Sequence, residues 1–105
     1  MNLIECEFGC PFCGKRYITY VPKQYLDRIT NSTENLASII GFTDPTYREI
    51  FISYVCSTCQ YPTFSSKRKS SYKDEDIDKF DVLANASSAE KEKLKINISK
   101  MFENR

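Results

Sequence analysis

The sequence predicts a small α+β domain with a helical C-terminal extension. Three observations carry that expectation. Two short β-branched and aromatic runs, residues 2–8 and 15–21, flank a Cys-x-x-Cys turn; a second Cys-x-x-Cys stands at Cys56 and Cys59; and apolar residues between and beyond the pairs recur at helical spacing.

Taken in order, the first two runs read as a hairpin. Gly9-Cys10-Pro11-Phe12-Cys13-Gly14 between them is turn chemistry, a knuckle at the hairpin tip. Pro22 suits the first position of a helix over about 23–30, with Leu26 and Ile29 on one face. Asn31-Ser32-Thr33 interrupts the pattern. Leu36, Ile39 and Ile40 resume it in a second short helix, and Gly41 is the residue best able to close that helix in the left-handed conformation. Residues 43–55 carry two signals, because Asp44-Pro45 looks like a capped helix start while Ile50-Phe51-Ile52 is β-branched and aromatic. A helix leading into the second cysteine pair is favoured. After Phe64 the composition turns polar and basic. Asp74, Glu75, Asp76 and Asp78 then crowd the start of a segment whose Ile77, Phe80, Leu83 and Ala84 share a helical face. Ser87 and Glu90 form a capping box for a last helix striped by Leu94, Ile98, Met101 and Phe102.

A length of 105 residues fits one domain in two parts. Residues 1–66 read as a metal-binding module with a helical insertion. Residues 67–105 read as a basic loop and a helical extension that packs on the module or on a partner. With seven Phe, seven Tyr and no Trp the core is adequate but modest, so a metal staple would help it.

Five cysteines, four of them in two Cys-x-x-Cys turns, suit a reducing compartment better than a disulfide framework. The start of the chain has no basic n-region and no long apolar run, which predicts a cytoplasmic protein that does not enter the membrane. A Cys-x-x-Cys turn presents two thiolates to one ion while its amides stabilise their charge. Cys10, Cys13, Cys56 and Cys59 therefore make a closed site for one structural zinc ion, within a zinc-ribbon or treble-clef-like domain. The interval between the pairs exceeds that of a minimal ribbon, and the intervening helices fill it as an insertion. Iron in a rubredoxin-like site is the alternative metal, since thiolates accept either ion. Cys6 is either a small apolar residue on a strand or a substitute ligand or redox-sensitive thiol.

The same constellation has a rival reading, because Cys10-Pro11-Phe12-Cys13 has the residue types of the redox turn of glutaredoxin-like enzymes. There the first cysteine sits at a helix N-terminus. Here the turn runs into a strand-like segment, and the second pair would be left without a purpose. The chain has no histidine, so the usual general base and nucleophile partner are missing and the reading is non-enzymatic.

Charge narrows the partners. The net charge of +1 falls to about −1 once four thiolates and a zinc dication are counted, so no global basic field exists. A local nucleic-acid contact would use Lys15, Arg16, Lys67, Arg68 and Lys69, with the acidic residues from Asp74 onward neutralising much of that cluster. The stripe Leu94, Ile98, Met101 and Phe102 either covers the module or docks a partner, a second copy included.

Residues 10–64 resemble small zinc-ribbon proteins of phages and prophages without an assigned activity. The likeness lies in Cys10-x-x-Cys13-Gly14-Lys15, an amphipathic stretch from Tyr25 to Ile40, then Arg48-Glu49, Ile52-Ser53, Cys56-x-x-Cys59 and Phe64. That family commonly carries Gly where this chain has Tyr54. The resemblance implies a viral or mobile-element origin and a role in the host cytoplasm. The leading expectation is a non-enzymatic zinc-binding adaptor that binds and modulates a host protein. The alternatives are a nucleic-acid-binding zinc ribbon and, third, a thiol–disulfide redox protein.

Overall fold

A computed structural model of the chain describes residues 2–64 and 80–103. Strand β1 (Leu3–Gly9) and strand β2 (Arg16–Pro22) form the expected hairpin, paired antiparallel from Leu3 opposite Pro22 to Gly9 opposite Arg16. Four helices follow: α1 (Lys23–Asn31), α2 (Leu36–Ile40), α3 (Pro45–Ser53) and α4 (Ser57–Phe64). A short strand β3 (Val82–Leu83) and helix α5 (Ser88–Glu103) complete the described elements. The sheet is three-stranded and antiparallel in the order β1-β2-β3, so β2 is its centre.

Local chemistry accounts for most boundaries. Pro22 is the N-cap of α1 at φ −60° and ψ 137°, one position earlier than the sequence suggested. The next N–H, that of Lys23, is satisfied by the Asn2 carbonyl at 2.9 Å. Asn35 caps α2 by accepting from the Ser38 N–H at 2.9 Å. Asp44 caps α3 by accepting from the Thr46 N–H at 2.8 Å, with Pro45 in the first turn, so the capping signal prevails over the β-branched run in residues 43–55. Ser87 Oγ accepts from the Glu90 N–H at 3.3 Å at the start of α5.

Three local expectations need correction. Gly41 is right-handed, at φ −62° and ψ −19°. Its lack of a side chain serves close approach instead, because a Cβ there would run into the Ala37 carbonyl oxygen. The helix expected to carry Leu83 and Ala84 is absent from the described residues 80–87: Val82 and Leu83 add to the free edge of β2 opposite Ile18 and Tyr17. The open edge of a central strand provides ladder hydrogen bonds that a lone helical turn could not match. Ile77 and the acidic residues 74–78 lie outside the described residues. The second Cys-x-x-Cys, finally, is not an isolated turn but leads into α4.

Both faces of β2 are covered, and Tyr17, Ile18, Thr19, Tyr20 and Val21 are all buried. Alternation puts Tyr17, Thr19 and Val21 on one face with Cys6 and Phe8 of β1. The C-terminal half of α3 covers that face: Phe8 meets Phe51 edge-on at 5.7 Å and stacks on Tyr54 at 5.5 Å. Ile18 and Tyr20 point the other way, and α5 covers them, with Lys95 Nζ 5.1 Å from the centre of the Tyr20 ring. At one end of the sheet Phe102 closes an aromatic cluster with Tyr25 at 4.9 Å, Phe42 at 5.5 Å and Tyr47 at 5.8 Å. The Tyr47 hydroxyl, fully buried, donates to the Tyr20 carbonyl at 2.6 Å.

Leu94, Ile98 and Phe102 are buried in the core and Met101 packs against it, so in this fold the stripe covers the module, the first of its two expected roles. A domain this small needs that apolar area inside, and α5 supplies it. None of the described helices is long and apolar enough to cross a membrane.

Candidate metal centre

The first ligand pair is built by the hairpin tip. The Cys10 N–H donates to the Lys15 carbonyl at 3.0 Å, and the Gly14 N–H donates to the Cys10 carbonyl at 2.9 Å. That turn needs a left-handed residue at its exit, and Gly14 takes φ +71° without a Cβ penalty. The second pair is built by a helix start: Cys56 immediately precedes α4, and Cys59 lies in its first turn.

The fold brings the two pairs together. The sulfurs of Cys10, Cys13, Cys56 and Cys59 all lie within 4.8 Å of one another, and Cys13 Sγ is 3.9 Å from Cys56 Sγ. A tetrahedral tetrathiolate site with bonds of about 2.3 Å needs sulfurs roughly 3.8 Å apart, so the cluster is the right size for one ion. None of the four forms a disulfide. Cys6 is not in the cluster: it is half-buried on β1, packed against the core, where burial followed by the charge of Glu5 pushes its thiol up. It is the small apolar strand residue of the simpler reading.

The electrostatics fit a cation. Burial alone would push the Cys10 thiol up, but the N–H groups of Cys13, Cys56 and Phe12 directed at its sulfur bring it down to about 6. Cys56 and Cys59 are pushed up, first by burial and then by their sulfur neighbours, Cys10 prominent among them. A first negative charge is thus welcomed by the backbone, and further ones are resisted unless a divalent ion joins them.

The approach to the second pair is held from several sides. Tyr54, at the C-terminus of α3, takes φ 64° and ψ 16°, the sole non-glycine positive φ among the described residues. A left-handed backbone is costly for a residue with a Cβ, and Gly would take it freely. Here the cost is offset by the Phe8 stack and by the Tyr17 hydroxyl, which donates to the Tyr54 carbonyl at 2.9 Å. Gln60 Nε2 donates to the carbonyls of Thr46 at 3.0 Å and Val55 at 2.8 Å, fastening α4 to α3. Asp81 Oδ2 accepts from the Ser57 N–H at 2.7 Å.

Sequence reasoning placed the four cysteines but missed Tyr17, Gln60 and Asp81. The one available sign for Asp81 was a carboxylate inside the apolar run Phe80-Asp81-Val82-Leu83. Of the candidate basic contacts, Lys15 and Arg16 are exposed beside the knuckle, and Arg16 is held by Glu7, Nε to Oε2 at 2.6 Å. Lys67, Arg68 and Lys69 lie outside the described residues.

Comparison with protein-family models, with known proteins and with solved structures finds no match for this chain.

Proposed function

We propose that the protein is a non-enzymatic adaptor built around one structural zinc ion, and that it binds and modulates a host protein in the cytoplasm. The observation that carries this reading is the four-sulfur cluster: four protein ligands complete a tetrahedral shell and leave no position for water or substrate. An ion so enclosed ties distant segments together and is not poised for chemistry. Zinc is the preferred ion for a soft, tetrahedral, all-sulfur set in a reducing compartment.

Ligand placement favours the treble-clef-like form over the ribbon. One pair sits on a hairpin knuckle and the other on the first turn of a helix, whereas a ribbon would use two hairpins. Around this centre the protein presents large apolar groups to solvent. Phe12, between the first two ligands, is 62% exposed, and Ile52 and Tyr54 beside the second pair are also exposed. Aromatic anchors next to a rigid, metal-held turn are what a protein interface uses. The phage resemblance makes a host protein the proposed partner.

A nucleic-acid-binding role is the second reading, favoured by the juxtaposition of exposed Phe12 with Lys15. The redox reading is disfavoured at both pairs: Cys10 lies at a hairpin tip and not at a helix N-terminus, and Cys56, which does precede a helix, has its thiol pushed up by burial.

X-ray absorption of the zinc-loaded protein tests the site: four sulfur neighbours at about 2.3 Å are expected, and an oxygen or nitrogen neighbour would open the shell and remove the structural assignment. Affinity capture from host cytoplasm, with wild type against Phe12→Ser, tests the role. A stoichiometric protein partner lost in the variant supports the adaptor. Salt-sensitive retention of an oligonucleotide with no protein partner supports the second reading.

A further inference from the structure

Helix α4 begins one residue after a metal ligand, and its first N–H groups have no partner within the helix. The Ser57 N–H finds its acceptor far along the chain, at Asp81 Oδ2. The contact is part of a bridge. Ser57 Oγ accepts from the Phe80 N–H at 3.3 Å, and the Phe80 carbonyl accepts from the Thr19 hydroxyl at 2.5 Å. Thr19 is fully buried on β2, the strand that leaves the first knuckle, and Val82–Leu83 pairs with the same strand. Residues 80–83 thus fasten the start of the second ligand pair to the strand behind the first. Asp81 is only 9% exposed, and a carboxylate this buried needs hydrogen-bond donors facing it, of which the Ser57 N–H is one.

Building on the metal-site reading above, we propose that Asp81 is an outer-shell positioning residue of the metal centre. It holds the Ser57 N–H so that Cys56 and Cys59 present both sulfurs to the ion. The metal affinity then depends on the docking of residues 80–83, and metal in turn tightens that docking, since coupling between two binding events is reciprocal. Outer-shell partners of this kind typically contribute about 10–100-fold to metal affinity. A charged acceptor also makes a stronger hydrogen bond to an amide than a neutral one, so charge and geometry contribute separately.

The test uses the full-length protein and three variants: Asp81→Ala, Asp81→Asn and, as control, Leu94→Ala. Leu94 is buried in the same C-terminal segment, on α5. Zinc affinity is measured by competition with a chromophoric chelator, the ligand set by the cobalt(II) d–d spectrum, and the local contact by the chemical shift of the Ser57 amide. Asp81→Ala is expected to lower zinc affinity about 10–100-fold while the cobalt spectrum stays that of a tetrahedral tetrathiolate. Asp81→Asn, which keeps an acceptor, is expected to lose less and to move the Ser57 amide upfield. Leu94→Ala is expected to lower the unfolding midpoint and to lose zinc affinity only as far as that loss of stability accounts for, less than Asp81→Ala at equal loss of stability. Unchanged affinity in Asp81→Ala, or an equal loss in Leu94→Ala at equal loss of stability, would overturn the proposal and leave the metal site standing. Should Asp81→Ala fail to fold, Asp81→Asn decides alone, and no change in either its affinity or its Ser57 amide would overturn it. A wild-type protein that binds no zinc would overturn both readings.

Discussion

Replacing Ile98 by Ala separates two roles for the C-terminal helix. Ile98 is 0% exposed on the inner face of α5, while Ile96, two residues earlier, is 54% exposed. Truncating Ile98 removes three buried carbons, worth about 2.4 kcal/mol at ~0.8 kcal/mol each. The cavity left behind raises the cost to roughly 3–4 kcal/mol. A domain of this size has a total stability of about 5–15 kcal/mol, so the loss is a large share of it. Ile96→Ala should stay within about 0.5 kcal/mol, since it removes a largely solvated side chain from a helix that tolerates Ala well. Urea unfolding of the metal-loaded proteins, followed by circular dichroism, measures both. An Ile98→Ala cost below about 1 kcal/mol, or equal costs for the two variants, would refute the assignment of the stripe to the core.

Other consequences follow from particular contacts. At Tyr54 the usual ranking inverts: both Tyr54→Gly and Tyr54→Ala lose the Phe8 stack, but Gly relieves the left-handed backbone and Ala keeps the strain, so Gly should be the more stable by about 1 kcal/mol in urea unfolding. Tyr47→Phe strips the buried Tyr20 carbonyl of its 2.6 Å donor and should cost about 1–2 kcal/mol by the same method. Metal loading should be lost as pH falls, because ligands must be thiolates. With the metal-free Cys10 thiol already down at about 6 and those of Cys56 and Cys59 pushed up, zinc uptake near neutral pH should release about two or more protons, so affinity rises with pH. Calorimetry in buffers of different ionisation enthalpy counts those protons, and release of none would contradict the charge distribution described for the site.

The hairpin and its knuckle were legible in the sequence because pattern and turn chemistry agreed: β-branched and aromatic runs on each side of Gly9 to Gly14 leave few other structures open. In residues 43–55 the two levels disagreed, and the Asp44-Pro45 cap decided against the strand propensity of Ile50-Phe51-Ile52. Helix α4 was hidden because Cys-Ser-Thr-Cys-Gln-Tyr-Pro-Thr-Phe has no apolar stripe and contains Pro62. It is sustained by tertiary contacts, the Gln60 side chain and the Asp81 cap among them. Strand β3 is two residues long, and nothing local distinguishes Val82–Leu83 from a helical turn until the open edge of β2 is placed beside it. The ligands themselves were readable because Cys-x-x-Cys is a local signal, whereas their supports are contacts 24 and 37 residues away in sequence.

Native mass spectrometry of the intact protein tests most directly whether one ion joins the two cysteine-bearing segments. Wild type should carry one zinc per chain, and a Cys56→Ser, Cys59→Ser variant should carry none and lose its cooperative unfolding transition. A folded, metal-free wild type with a disulfide between Cys10 and Cys13 would contradict the account.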